Sequence, residues 1–171
     1  MDGDTSDRAT LIQGLLADLL RVGNLVLPRI GERFTAELGA SLVELNLLAE
    51  LKHAPDARLR MSEISDLLTI STTSVTRIVD ALEQRGLAER VLSRGDRRVV
   101  HAALTDEGAA LLARARPIAG PVLEQYFGHH FAAAEMTGMR VLLGRVLADA
   151  GGAPATTRPR EEAPAPDPSH P

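Results

Sequence analysis

Between Met61 and Thr105 the chain carries one continuous pattern of helical spacing, turn chemistry and strand alternation. The run MSEISDLL, from Met61 to Leu68, has helical periodicity. After a Ser/Thr-rich turn comes STTSVTRIVDALEQRG, which places Val75, Ile78, Val79 and Leu82 at spacings of three and four. Those four residues form one buried stripe, Ser71 is the expected cap, and Gly86 ends the helix. The segments LAERVL and VVHAALT then alternate as strands, joined by SRGDRR with Gly95 at the turn. Helix, turn, helix and a hairpin with arginines at its tip is the layout of a winged helix-turn-helix. One helix of such a unit enters a major groove, and its cationic tip reaches the adjacent backbone or minor groove. The expected fold class is mainly α with a small β-hairpin wing.

Bulk properties restrict what surrounds this segment. A length of 171 residues suggests one domain, or one domain with an extension, and 44% hydrophobic residues suffice for a core. Aromatics are 2%, so that core must be aliphatic. The absence of cysteine excludes disulfides, thiolate metal sites and thiol redox sensing. No apolar run approaches the roughly 18 residues of a membrane span, and the acidic start MDGDTSDR does not read as a signal peptide. A cytoplasmic location and no membrane partner are therefore expected. The net charge of −4 does not suit DNA, but the residues from Thr69 to His101 hold six arginines against four acids. Phosphate binding needs only a local positive surface.

Residues 1–7 read as a disordered N-terminus. Residues 8–38 carry apolar side chains at helical spacing, from Leu11 and Ile12 to Phe34 and Leu38, in a long amphipathic helix that Pro28 should kink or break. Gly39 is a plausible stop. Ser41 and Glu44 form a capping box that opens a helix to about His53. Arg58 to Arg60 reads as a short strand, and Ser62 as the cap of the next helix. Residues 41–105 thus form the winged unit. Within 106–150, Thr105 caps a helix with Asp106 and Glu107 in its first turn, which Pro117 and Pro121 should bend or interrupt. A last helix runs from about Ala132 to Ala150. Residues 151–171, with six prolines, read as a disordered tail.

The second helix of the winged unit is suited to DNA on the side away from its stripe. Thr72, Thr73, Thr76 and Arg77 are small hydroxyl groups and one cation, able to approach base edges closely. Ser71 and Ser74 stand at the helix start, where backbone N–H groups favour phosphate; simple capping is the competing role. In the wing, Arg94 and Arg97 are expected on phosphates and Arg98 in the minor groove. Asp96 is expected to orient an arginine through a charge-assisted hydrogen bond.

The series Ser71, Val75-Thr76-Arg77, Val79-Asp80, Leu82-Glu83, Arg85-Gly86-Leu87, Arg90, Gly95-Asp96-Arg97-Arg98 and Leu104-Thr105 with Gly108 closely resembles the MarR family of bacterial transcriptional regulators. The resemblance is strong over residues 41–113 and architectural in the flanking helices. It implies a homodimeric repressor on pseudo-palindromic double-stranded operator DNA, in the cytoplasm and on the nucleoid when bound. Half-sites would lie roughly one helical turn apart. It also implies that the first and last helices form the dimerisation part, and that Thr73, Thr76, Arg77, Asp96 and Arg98 fall on DNA-contact positions. Release by a small phenolic or anionic ligand is a further implication. Arg29, Arg33 and His53 are its candidate contacts, although charged side chains mostly stay solvated and surface or interface positions suit them better. Pro117, Gly120, Pro121 and the Pro-rich tail depart from the family pattern.

No metal site is expected from His129-His130, because adjacent helical side chains diverge by about 100°. No cofactor loop or nucleophile motif is present, so an enzyme is not expected. Two other readings stay open: a winged helix used for protein contact without DNA, and a DNA-binding regulator that answers to no ligand.

Overall fold

The computed structural model describes residues 2–92 and 99–149, with side chains from Asp7 onward. Two compact units divide the chain, residues 1–136 and 137–171. The first contains helices α1 (Asp2–Leu38), α2 (Leu42–His53), α3 (Met61–Leu68), α4 (Thr72–Gln84) and α5 (Asp106–Leu123). Strands β1 (Arg58–Arg60), β2 (Ala88–Leu92) and β3 (Val100–Leu104) form an antiparallel sheet in the order β1-β3-β2. Its register pairs Leu59 with Ala102, and Arg90 with Ala102 on the other side. A mainly helical chain with a small antiparallel sheet is the expected class, and the three-residue strand at Arg58–Arg60 completes the hairpin.

Local chemistry sets the element ends. The Ser41 hydroxyl accepts from the Glu44 N–H at 3.4 Å, and the Glu44 carboxylate accepts from the Ser41 N–H at 2.7 Å, closing the capping box of α2. Gly39 and Gly86 stop α1 and α4 with φ of 61° and 68°, a conformation that costs glycine nothing. α3 begins earlier than expected. Arg60, not Ser62, is its cap, because the Glu63 carboxylate reaches back to the Arg60 N–H at 2.7 Å.

The prolines do not break their helices. α1 runs unbroken from Asp2, inside the stretch read as disordered, through Pro28; acids near a helix start suit its dipole. α5 runs through Pro117 and Pro121 and passes into a π-helical turn at Glu124–Gly128. Each proline forfeits one backbone hydrogen bond, but packing decides. Val26, Ile30 and Phe34 of α1 lie at spacings of four in the core, Leu111, Ala115, Ile118 and Val122 of α5 at spacings of three and four, and the two helices pack together. Burying such side chains contributes roughly 1.5–3 kcal/mol each, against about 3 kcal/mol for an interior proline. The centre of the core is Leu47, Leu48 and Leu51 of α2, Ile64 of α3 and Val75, Val79 and Leu82 of α4.

The N-terminal half of α1 is different. Leu11, Ile12, Leu15, Leu16, Leu19 and Leu20 are all exposed. By length and composition Asp7–Leu38 is apolar enough to cross a membrane, with mean hydropathy 1.4 in an 18-residue window that is 6% buried. That overturns the expectation that no segment reaches this length. Asp18 and Arg21 are the charged residues near its middle, and they pair with each other at 3.3 Å.

The described part of the second unit is most of helix α6 (Ala133–Asp149). Met139, Leu142, Leu143 and Val146 fall on one helical face by their spacing, and all are exposed.

Candidate nucleic-acid interface

α4 lies between α3 and β2 with Val75, Val79 and Leu82 fully buried and Ile78 half-buried. At 100° per residue, Thr73, Thr76, Arg77, Asp80 and Gln84 fall on the opposite side. Thr73, Thr76, Arg77 and Gln84 are exposed, and Asp80 is half-exposed. The buried and outward faces are thus the two sides of one amphipathic stretch.

The outward side chains are not equally available. The side chains of Arg77, Thr73 and Thr72 make no hydrogen bond or ion pair among the described residues. Thr76 donates its hydroxyl to the Thr72 carbonyl at 3.0 Å, so it presents chiefly its methyl and lone pairs. Ser71 and Ser74 are occupied with capping. The Ser71 hydroxyl accepts from the Ser74 N–H at 3.2 Å, and the two hydroxyls lie 2.9 Å apart. The six hydroxyl and cationic positions read from the sequence therefore divide into a capping pair and an outward set led by Thr73 and Arg77. A shallow cleft of about 380 Å³ runs beside this set, lined by Ser41, Glu44, Ser74, Arg77, Ile78 and Ala81.

Arg94, Asp96, Arg97 and Arg98 lie outside the described residues. The strands that lead to and from them are described, and they are anchored to α4 by a residue that the sequence reading did not single out as functional. Arg90 lies on β2 at an inward position, in register with buried Ala102. Its guanidinium meets Asp80 and Glu83 of α4, each at 2.6 Å. Burial alone would lower the Arg90 guanidinium, but the hydrogen bonds to Asp80 and Glu83 outweigh it and hold it above its ordinary value. The signal was available: strand alternation puts an arginine in the same row as Ala88 and Leu92, and an inward cation requires partners.

Each of the three candidate ligand contacts has a partner of its own. The Arg29 guanidinium stands 5.9 Å from the ring centre of Tyr126. Arg33 bonds Glu37 on its own helix at 3.0 and 2.9 Å, and His53 Nδ1 lies 2.7 Å from the Ala49 carbonyl. No group of three or more acidic or histidine side chains suited to a metal occurs among the described residues.

A small amphipathic helix with a hydroxyl and arginine face, followed by a strand pair leading to a basic loop, is a winged-helix reading head. A family model described as MarR family matches residues 38–99, the part that holds α2, β1, α3, α4 and β2. The HTH-type transcriptional regulator PecS of Dickeya dadantii (strain 3937) is 34% identical over 140 residues, or 77% of this chain and 79% of that protein. The fold is similar to that of a MarR family transcriptional regulator from Streptomyces coelicolor, solved in complex with DNA. The TM-score is 0.68 at 23% identity, covering 88% of this chain and 93% of that one. It is also similar to CouR from Rhodococcus jostii RHA1, solved bound to p-coumaroyl-CoA. There the TM-score is 0.64 at 24% identity, covering 75% of this chain and 87% of that one. Sequence likeness spanning most of both chains, together with this reading head, shows that the chain belongs to the MarR family of transcriptional regulators.

Proposed function

We propose that the protein is a homodimeric repressor that reads pseudo-palindromic double-stranded DNA through α4 and the wing, and releases it when a small ligand binds. The observation that carries the DNA reading is the outward face of α4, where the side chains of Arg77 and Thr73 stand exposed and without partners among the described residues, opposite the buried Val75, Val79 and Leu82. Arg77 takes a guanine edge or a phosphate, and Thr73 approaches a base edge. Arg94 and Arg97 meet phosphates and Arg98 the minor groove, with Asp96 orienting an arginine. A protein-contact module would present apolar residues on that face, and α4 presents hydroxyls and a cation.

A second copy of the chain covers the apolar faces of α1 and α6. Exposed leucines in such numbers are costly in water, and a two-fold dimer matches the symmetry of a palindromic site. Residues 8–38 and 106–150 are then the dimerisation parts around a reading head of 41–105, and the protein works in the cytoplasm. The ligand reading rests on likeness to a neighbour solved with p-coumaroyl-CoA, which suggests a phenolic or anionic compound. Arg29, held over Tyr126, is the best placed of the candidates to meet one.

Selection of duplexes from a random pool by the purified protein, followed by gel retardation and light scattering, tests this reading. The expected result is an inverted repeat bound by one dimer and released by p-coumaroyl-CoA or a simpler phenolic acid. A dimer that enriches no sequence overturns the DNA reading. Retention of the repeat in the presence of every such compound leaves a regulator that does not answer to them.

A further inference from the structure

Arg90 touches three separate points of α4. Beyond its ion pairs to Asp80 and Glu83, its guanidinium donates to the Thr76 carbonyl at 3.4 Å. Its backbone N–H donates to the second oxygen of Glu83 at 3.2 Å. Thr76, Asp80 and Glu83 lie within two turns of one another, along the edge of the outward side of the helix that borders its buried stripe. A planar guanidinium with several donors in a fixed fork holds such a set in one geometry. Its side chain is 28% exposed, and those of Asp80 and Glu83 are 47% and 41% exposed. The cluster therefore forms the seam between α4 and β2, and β2 is the strand that leads into the basic loop.

Asp80 has a second consequence. It belongs to the outward side of α4, with Thr73 and Arg77. A bare carboxylate there would face phosphates and be repelled. Paired with Arg90 it is drawn to the flank and its charge is offset. We infer that Arg90 is a positioning residue for DNA reading: it fixes the rotation of α4 against the wing-bearing strand and removes the Asp80 charge from the DNA-facing surface, without itself touching DNA. The inference rests on the DNA reading above. It adds that α4 and the strand leading to the wing are held in one geometry.

The test compares the wild-type protein with R90M, R90K, D80N and the double variant D80N/R90M. The probes are the duplex selected by the wild type and a scrambled duplex, titrated over a range of salt. R90M is expected to lose affinity for the selected duplex by about tenfold, the order of one base-reading contact, and less for the scrambled one. Its salt dependence should stay at the wild-type slope. R90K supplies a charge but no fork, so it should fall between R90M and the wild type. D80N/R90M should recover part of the loss, because the uncovered carboxylate is gone.

A salt slope lowered by about one for both duplexes makes Arg90 a phosphate ligand and overturns the inference. So does R90M binding both duplexes as the wild type does. If R90M does not fold, R90K decides, and wild-type discrimination in R90K overturns the inference. A wild type that binds no duplex overturns the DNA reading and this inference with it, whereas a wild type that binds beside an unaffected R90M overturns this inference alone.

Discussion

Arg85, at the end of α4, reaches Glu44 in the first turn of α2 at 3.0 Å, across 41 residues of sequence. The other oxygen of Glu44 accepts from the Ser41 N–H and hydroxyl, each at 2.7 Å. One carboxylate thus closes a capping box and ties the reading helix to its neighbour. Glu44→Ala loses both functions and should cost about 2 kcal/mol. Arg85→Met loses only the ion pair and should cost less than about 1 kcal/mol. Urea unfolding at one fixed protein concentration, since the stability of the proposed dimer would depend on it, distinguishes them. Equal losses would mean that the cap contributes nothing.

Gly108 sits in the first turn of α5, where the Thr105 hydroxyl accepts its N–H at 3.1 Å. A Cβ at this position would meet the Leu87 carbonyl oxygen, and the Leu104 Cδ1 at 2.8 Å. The backbone carbonyl cannot move without disturbing the Thr105 N–H that donates to it at 3.4 Å. Gly108→Ala should therefore destabilise the protein by about 1–3 kcal/mol, read as a lower denaturation midpoint. An unchanged midpoint would show that α5 and β2 slide apart freely.

Thr69, in the turn between α3 and α4, has a left-handed backbone with φ 53° and ψ 43°. It is exposed, and its side chain makes no hydrogen bond among the described residues. A left-handed residue with a Cβ costs about 1–2 kcal/mol, and glycine's extra freedom in the unfolded chain returns about 0.5–1 kcal/mol. Thr69→Gly should thus stabilise the protein by about 0.5–1 kcal/mol. A lower melting temperature would refute this.

What could be read from the sequence was local. The Ser41–Glu44 box, the Ser71 cap, the Val75/Val79/Leu82 stripe and the Gly86 stop each depend on residues within a turn or two, and all are in place. The power of the prolines to break their helices was overestimated for the converse reason. The cost of Pro28, Pro117 or Pro121 is local, but the burial of Ile30, Phe34, Ile118 and Val122 that outweighs it is tertiary. Among the site residues, Thr73 and Arg77 were legible as an outward face. The withdrawal of Ser71, Ser74 and the Thr76 proton into backbone bonds was not, because serine and threonine serve both purposes in the same positions. Arg90 was legible only as an anomaly in strand alternation. Its partners had to be supplied by the packing of α4 on β2.

The apolar face of α6 gives a prediction that leaves the reading head untouched. Leu142 and Val146 are 57% and 67% exposed, one turn apart. Leu142→Glu with Val146→Lys removes the apolar surface and adds a favourable pair at i,i+4, so the helix itself should be retained. Light scattering should report half the wild-type mass, with the far-ultraviolet dichroism of a mainly helical chain. Wild-type mass would remove α6 from the dimer contact.

Arg77 separates base reading from simple charge attraction. It projects from the second turn of α4 beside Thr73, with no carboxylate among the described residues paired to it. Asp80, the nearest acid along the outward face, is committed to Arg90. A free guanidinium at the front of a reading helix can take the O6 and N7 of guanine with two parallel hydrogen bonds. Lysine offers one point of contact instead. Arg77→Ala should therefore weaken binding to the selected duplex by about 1–3 kcal/mol while scrambled DNA loses much less. Arg77→Lys should restore nonspecific affinity but not discrimination. Should both variants lose selected and scrambled DNA equally, with the salt slope reduced by about one, Arg77 is a phosphate ligand. Base reading would then fall to Thr73 and the wing.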